Sequence, residues 1–448
     1  MSPVRRGLRA VRGAGTSELL RGVATNSTAR VLAIVGLTVA TVVVARVGGA
    51  SAVGSYALLR MLPGLVGVVS VAGLPGAQAY FLAAPRRDAT RLWPTLMLIL
   101  VAGAALGSVA WVAAAPVLRH AFFRGDTTML VAAAGATVAT QLFLTTGKTA
   151  LQGLEDRRGG DIVIASEELA FLPYYGAALV LGWHGTAAII LGLGLADLAV
   201  GVDAWRRVVR RLGWSRAGFS GPGKGFLGRP DRRLLREVVT YGLRGQAGGI
   251  LTLLNLRLDF AILGAMAGPA VLGVYAVASK YAELLRLPGT ALTWVSYPRM
   301  AALSPEEAGH RARRLLLPCI GVIVAAAVPL ALLNSTVMAL LYGQRFHSAV
   351  APAQVLLVGM LLGGASGVAS GYLYGRGRPG MNSLAMGCGV AVTVVLDLLL
   401  IPRFGAMGAS VASTAAYLTS DMLLILLLLR VSGRRPGVAS CRTAEVPS

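Results

Sequence analysis

Of the charged side chains inside stretches that are otherwise apolar, which include Glu167, Glu168, Asp197, Asp203 and Asp421, seven are the candidates for function: Arg60, Arg257, Lys280 and Arg286 among the bases, and Asp259, Glu283 and Asp397 among the acids. A charge held within a hydrocarbon core costs a few kcal/mol, so such residues are candidates for function by default. Lys280, Glu283 and Arg286 recur at steps of three, which places them roughly along one helix face, and that face must look into a wet cavity. Lys280 falls about nine residues from the outer end of its stretch, or ~13 Å, close to mid-bilayer. Asp259 and Asp397 have the character needed to couple transport to a proton or cation: a carboxylate in an apolar span, whose protonation depends on which side is open. The plainer reading is that Arg257 neutralises Asp259, and that Lys280, Glu283 and Arg286 neutralise one another between neighbouring helices. Pro63 and Pro288 lie within these stretches and could serve as hinges, because proline removes a backbone bond and kinks a helix.

The elements that carry these residues are long apolar segments. Twelve spans are expected, at about 26–46, 53–83, 94–115, 127–147, 162–182, 186–205, 237–264, 271–297, 315–335, 350–372, 383–401 and 405–429. A hydrocarbon core needs roughly 20 apolar residues per helical crossing, and only helices or closed barrels satisfy their backbone there. The fold class is therefore an all-α polytopic membrane protein. With the N-terminus assigned to the cytoplasm, 31 of the 42 Lys and Arg fall in cytoplasmic segments, four in outer loops and seven within or beside spans. That asymmetry predicts both termini inside, in a bacterial cytoplasmic membrane. The net charge of +23 is then topological, with attraction to anionic membrane lipids, and nucleic acid is not expected as a partner. Cys319, Cys388 and Cys441 show no metal or redox spacing. The arginines at 5, 6, 9 and 12 precede a run that reads as a retained first span, not a cleaved signal.

Five regions follow: a basic N-terminus at 1–25, a six-helix bundle at 26–205, a basic cytoplasmic linker at 206–236, a second bundle at 237–429 and a cytoplasmic tail at 430–448. The bundles read as a duplication. Gly54-Ser55-Tyr56-Ala57 aligns with Gly273-Val274-Tyr275-Ala276 at a shift of 219, and Leu151-Gln152-Gly153 aligns with Leu373-Tyr374-Gly375. Gly182-Trp183-His184-Gly185 aligns with Pro402-Arg403-Phe404-Gly405 at a shift of 220. Six spans per unit give both units one orientation, a parallel repeat about an axis along the membrane normal.

The run from Arg257 to Gly264, then Gly273-Val274-Tyr275-Ala276, Pro288 and Tyr297-Pro298, resembles the seventh and eighth helices of polysaccharide flippases. These belong to the multidrug/oligosaccharidyl-lipid/polysaccharide exporter superfamily. Leu341-Tyr342-Gly343 with Arg345-Phe346 resembles that family's fifth outer loop, and Ile401 to Ala409 resembles the turn between its last two helices. The resemblance spans nearly the whole chain but rests mostly on Gly, Pro and aromatic residues. It implies alternating access, with a polyprenyl-pyrophosphate-linked oligosaccharide as substrate. Glycan polymerase and glycosyltransferases would be partners. A diphosphate needs several fixed cations to replace the water it loses, which is the role implied for Arg60, Arg257, Lys280 and Arg286.

Other readings fit less well. No phosphate-binding Walker loop is present, so an ATP-driven pump is not expected on this chain. The four histidines are scattered, with no metal spacing, and neither a catalytic residue nor a cofactor is expected. A membrane-bound polymerase or ligase would carry a large outer loop, and the outer loops here are short. A small-molecule, cation-coupled antiporter of the same superfamily remains an alternative, as does a non-transporting partner of a glycan synthase complex.

Overall fold

In the computed structural model the backbone is described for residues 3–83, 89–212, 230–288 and 303–433. Every regular element there is helical: α1 (Pro3–Ser70), α2 (Leu74–Ala83), α3 (Ala89–Phe122), α4 (Thr128–Ala133), α5 (Gly135–Gly153), α6 (Arg157–Leu169), α7 (Phe171–Val180) and α8 (Gly185–Arg211) lead into the second half. There α9 (Arg232–Ala267), α10 (Pro269–Glu283), α11 (Pro305–Tyr342), a 3-10 turn (Gln344–Ala349), α12 (Val350–Gly359), α13 (Gly363–Gly375) and α14 (Pro379–Gly433) follow. Most of the linker, the tail beyond 433, Gly289, and Tyr297-Pro298 lie outside the described residues.

Seven described helices are long and apolar enough to cross a bilayer, and α12 with α13, bent by 41°, form one further candidate crossing. Two of the seven are long enough for two crossings and break part-way along. Thr28–Ser70 has 43 residues, or ~64 Å, about twice a hydrocarbon core. Its helix breaks at Gly49 (φ 70°, ψ −163°), and α14 breaks in the same way at Gly405 (φ 53°, ψ −126°). A positive φ with this ψ is open essentially to glycine alone. Each break divides its helix into pieces of bilayer length. The expected ends were too tight: α3 and α11 run well past 94–115 and 315–335, since helices continue through the polar interface once nucleated.

The duplication is visible in backbone geometry. Gly49 and Gly268, 219 residues apart, both hold a left-handed φ (70° and 83°) with an extended ψ (−163° and 175°) between consecutive helices. Gly185 and Gly405, 220 apart, have φ of 60° and 53°. Glu155 and Gly377, 222 apart, have φ of 55° and 67°. Their turns also share a hydrogen-bond pattern: the Asp156 amide donates to the Leu151 carbonyl at 2.9 Å, and the Arg378 amide to Leu373 at 3.0 Å. The sequence match of Leu151-Gln152-Gly153 with Leu373-Tyr374-Gly375 thus marks one turn built twice.

Candidate functional site

The second part of α1 and the whole of α10 run side by side from the repeat-equivalent turns, and they meet backbone to backbone. A Cβ on Gly54 would collide with the Pro269 carbonyl, and one on Gly273 with the Ala50 carbonyl. Only glycine permits this approach, so both positions are fixed by packing. From there Arg60 lies ten residues beyond Ala50 and Lys280 eleven beyond Pro269, equivalent depths of about 15 and 17 Å along their helices.

At that depth a cavity of about 360 Å³ opens between the two halves, walled by α1, α6, α9 and α10. Arg60, Arg257 and Lys280 all line it, together with Tyr56, Phe260 and Glu168. Arg60 donates to Glu168 at 2.6 Å and to the Tyr56 hydroxyl at 3.2 Å. Arg257 approaches Glu283 at 3.0 Å, and Lys280 approaches the other oxygen of Glu283 at 2.7 Å. Three cations thus share two carboxylates, leaving an excess of one positive charge on the wall of a partly desolvated cavity. Ion pairs so placed are held at the cost of desolvation, and an incoming anion can exchange for one carboxylate. Arg60 also lies 5.6 Å from the Tyr56 ring centroid, and Arg257 lies 5.1 Å from that of Phe260. These faces hold the guanidinium planes in place.

Arg286 does not join this group. Three steps of helix keep neighbours close, but six steps rotate a side chain by roughly 240°, and α10 ends at Glu283. Arg286 instead lines a second cavity within the C-terminal half. Glu283, expected as an ion-coupling acid, is the shared partner of two cavity cations. The expected Arg257–Asp259 pair is absent, since residues two apart on a helix point about 200° apart. Asp259 accepts from the Tyr275 hydroxyl, from Ser413 at 2.9 Å and from the Phe260 amide at 2.8 Å, inside the C-terminal half. Asp397 is fully buried, and neither carboxylate oxygen has a hydrogen-bond partner among the described residues; nor does Thr393 Oγ1, one turn earlier. Asp259 is near enough to act on it electrostatically. These are buried polar groups in an apolar bundle.

Glu168 is the functional neighbour that sequence reasoning left unassigned. It stands among the intramembrane acids of α6, but nothing along the chain links it to Arg60, 108 residues away. Its neighbour Glu167 is held by Lys148 at 2.5 Å. At the hinge candidates, α1 continues through Pro63, with its only non-helical residue at Gly49. Near Pro288 the chain tightens first: the amides of Leu284, Leu285 and Leu287 donate three residues back, to Tyr281, Ala282 and Leu284. A proline ring clashes with the carbonyl four residues earlier, here that of Leu284, which explains why the regular helix stops there.

With the geometry in place, comparison with known proteins is informative. A family model described as polysaccharide biosynthesis protein matches residues 19–304, nearly two thirds of the chain, and the chain belongs to that family. It is 20% identical over 284 residues to a probable low-salt glycan biosynthesis flippase, Agl15, of Haloferax volcanii, covering 56% of this chain and 60% of that protein. It is 23% identical over 194 residues to an uncharacterized membrane protein of Methanocaldococcus jannaschii, covering 42% and 38%. The chain therefore spans less than two thirds of the length of either relative.

Among solved structures, the lipid II flippase MurJ in an inward closed conformation superposes with a TM-score of 0.68 at 11% identity, covering 92% of this chain and 90% of that one. An inward-facing multidrug resistance transporter of the MATE family superposes at 0.69 and 14% identity, covering 91% and 94%. The MATE transporter DinF-BH in complex with R6G superposes at 0.62 and 16%, covering 93% and 97%. The fold is that of the multidrug/oligosaccharidyl-lipid/polysaccharide superfamily, and the chain is a multi-pass membrane protein.

Proposed function

We propose that this protein moves a polyprenyl-pyrophosphate-linked oligosaccharide from the inner to the outer leaflet of the cytoplasmic membrane by alternating access. The observation that carries this reading is the convergence of Arg60, Arg257 and Lys280, one from the N-terminal half and two from the C-terminal half, on one cavity at mid-helix depth. A diphosphate loses its hydration there and takes charge-assisted hydrogen bonds in return, while the lipid tail stays in the bilayer. A cationic drug would meet three fixed positive charges, which disfavours the antiporter reading for this chain. The arginine asymmetry supports both termini in the cytoplasm and twelve crossings. Glycosyltransferases that build the glycan, and a polymerase that consumes it, are the partners this implies.

Asp259 and Asp397 serve in this reading as the ion-coupling pair. A fully buried carboxylate without a hydrogen-bond partner is costly and is retained where protonation or cation binding is part of the cycle. Pro288, where the helix has already loosened, is the better-supported hinge of the two prolines.

The test is transport by the purified protein in liposomes, using a fluorescent polyprenyl-diphosphate oligosaccharide. The Arg60→Ala/Lys280→Ala double variant should insert and purify normally and lose at least 90% of transport. Transport at the wild-type rate in that variant overturns the cationic site.

A further inference from the structure

A second cavity, among the described residues, is not used by the transport site. It measures about 300 Å³, in the size range of small-ligand sites, and lies within the C-terminal half. Its wall is built where α12 and α13 break at Met360–Leu362, and Gly359, Gly363, Gly364 and Gly367 keep the backbone there uncovered. Its polar lining comprises Arg286, Asp421, Asn255, Tyr417 and the serines Ser366, Ser370 and Ser420, with Ser366 and Ser420 donating to carbonyls of their own helices. Asn255 is 6% exposed, and its Oδ1 has no partner among the described residues; its Nδ2 reaches only the Met386 sulfur at 3.4 Å.

This lining selects among ligands. A diphosphate would be repelled by Asp421, and a lone cation by Arg286. An isoprenoid tail would strip water from Arg286 and Asp421 without replacing it. A neutral ring bearing hydroxyls on every side matches a wall that combines one base, one acid, an amide and a phenol with apolar patches from Leu256, Met360 and Leu424. The position agrees. Counted along their helices, Arg286 and Asp421 lie about 25 Å from the turns at Pro269 and Gly405, roughly 8 Å deeper than Arg60 and Lys280. Tyr417, which lines this cavity, lies within electrostatic reach of Arg257, Glu283 and Arg286.

We propose that this cavity is a sugar subsite, holding one ring of the glycan whose diphosphate sits among Arg60, Arg257 and Lys280. It rests on the transport reading above, but its binding test does not. A Cβ on Gly363 would meet nothing nearer than Asp421 Oδ2 at 4.0 Å, so Gly363→Leu fills the cavity without striking backbone. Ser370→Leu fills it from a second position.

The experiment is saturation-transfer NMR on the purified protein in nanodiscs, with methyl glycosides of glucose, galactose, mannose, rhamnose and N-acetylglucosamine as probes. At least one should bind the wild type and the Arg60→Ala/Lys280→Ala variant equally, and bind both filling variants at least tenfold more weakly. No binding by any of the five overturns the proposal. So does binding that survives both filling variants, or binding lost with Arg60 and Lys280, which would place the sugar between the bundles. If sugar binding behaves as expected while the wild type transports no lipid-linked glycan, the transport reading fails and the sugar site stands.

Discussion

Gly54 and Gly273 make the same contact from opposite sides: Gly54 lies against the carbonyl of Pro269, and Gly273 against the carbonyl of Ala50, and the repeat relates Gly54 to Gly273 and Ala50 to Pro269. This is an isologous interface within one chain, produced by an approximate twofold axis between the halves. The two crossings close the end of the molecule where α1 turns at Gly49 and α10 begins. A mechanism that rocks the halves must part them.

Replacing either glycine by alanine should therefore favour the state in which the helices have separated. The added methyl cannot coexist with the carbonyl opposite, and overpacking of this kind costs about 1–3 kcal/mol in the closed state. A single cysteine at Ala57, placed in the Gly273→Ala variant, should be labelled from outside several-fold faster than in the parent. Equal labelling rates would mean that the contact does not separate during the cycle.

Two arginines brace the same end. Arg46 donates through Nε to the Leu341 carbonyl at 2.9 Å and through a second nitrogen to Leu340, at the C-terminal end of α11. Arg124 donates to Ala265 at 2.5 Å, near the end of α9. Each places a cation from the N-terminal half on exposed carbonyls at a helix C-terminus of the other half, an interaction of about 0.3–1 kcal/mol at an exposed site. Arg46→Ala with Arg124→Ala should release roughly 0.6–2 kcal/mol, a shift of about 3- to 30-fold toward the outward-open form. The same external labelling at Ala57 measures it, and no change would show the braces to be incidental.

The legibility of the chain follows from the range of each signal. The repeat signal is local, so Gly54 with Gly273 and Gly185 with Gly405 are matched from spacing alone, whereas the turn glycines Gly49 and Gly268, five residues earlier, lie outside the matched run. The cavity cations Arg60, Arg257 and Lys280 were legible because any intramembrane charge is conspicuous. Partnerships were not. Glu168 reaches Arg60 only through the packing of α6 on α1. Arg257 sits beside Asp259 in sequence yet turns toward Glu283, because two residues along a helix reverse the face. Arg286 illustrates the same limit, since six residues do not complete a whole number of turns.

The partner of Arg60 sets the next expectation. Glu168 competes with any anion for the guanidinium, so Glu168→Gln should strengthen diphosphate binding while leaving a buried cation less compensated. Affinity for a polyprenyl diphosphate should rise by about tenfold, near 1.4 kcal/mol, with thermal stability lowered, since removing one member of a buried pair is destabilising. Weaker binding in this variant would assign Glu168 to substrate contact, not to competition.

Topology is tested independently of mechanism. Cysteines placed singly at His120 and Arg124 should react with an impermeant reagent in intact cells. Those in the 206–236 linker should react only after permeabilisation, as the arginine asymmetry requires. External labelling of the linker would invert the orientation and with it the direction of transport.

Coupling separates the two buried acids. Asp259 is satisfied by Tyr275, Ser413 and the Phe260 amide, whereas Asp397 has no partner among the described residues. Because Asp259 does not pair with Arg257, neutralising Arg257 should fail to rescue any folding defect of Asp259→Asn. Asp397→Asn removes a fully buried carboxylate, so the folded protein should be at least as stable as the wild type. Its transport should no longer respond when a proton or sodium gradient across the liposome is collapsed. Substrate binding at the cavity, which lies between the halves and not within the C-terminal bundle, should be kept within about twofold, or ~0.4 kcal/mol. Retained gradient dependence in Asp397→Asn would remove Asp397 from the coupling mechanism and leave Asp259 as the acid to examine.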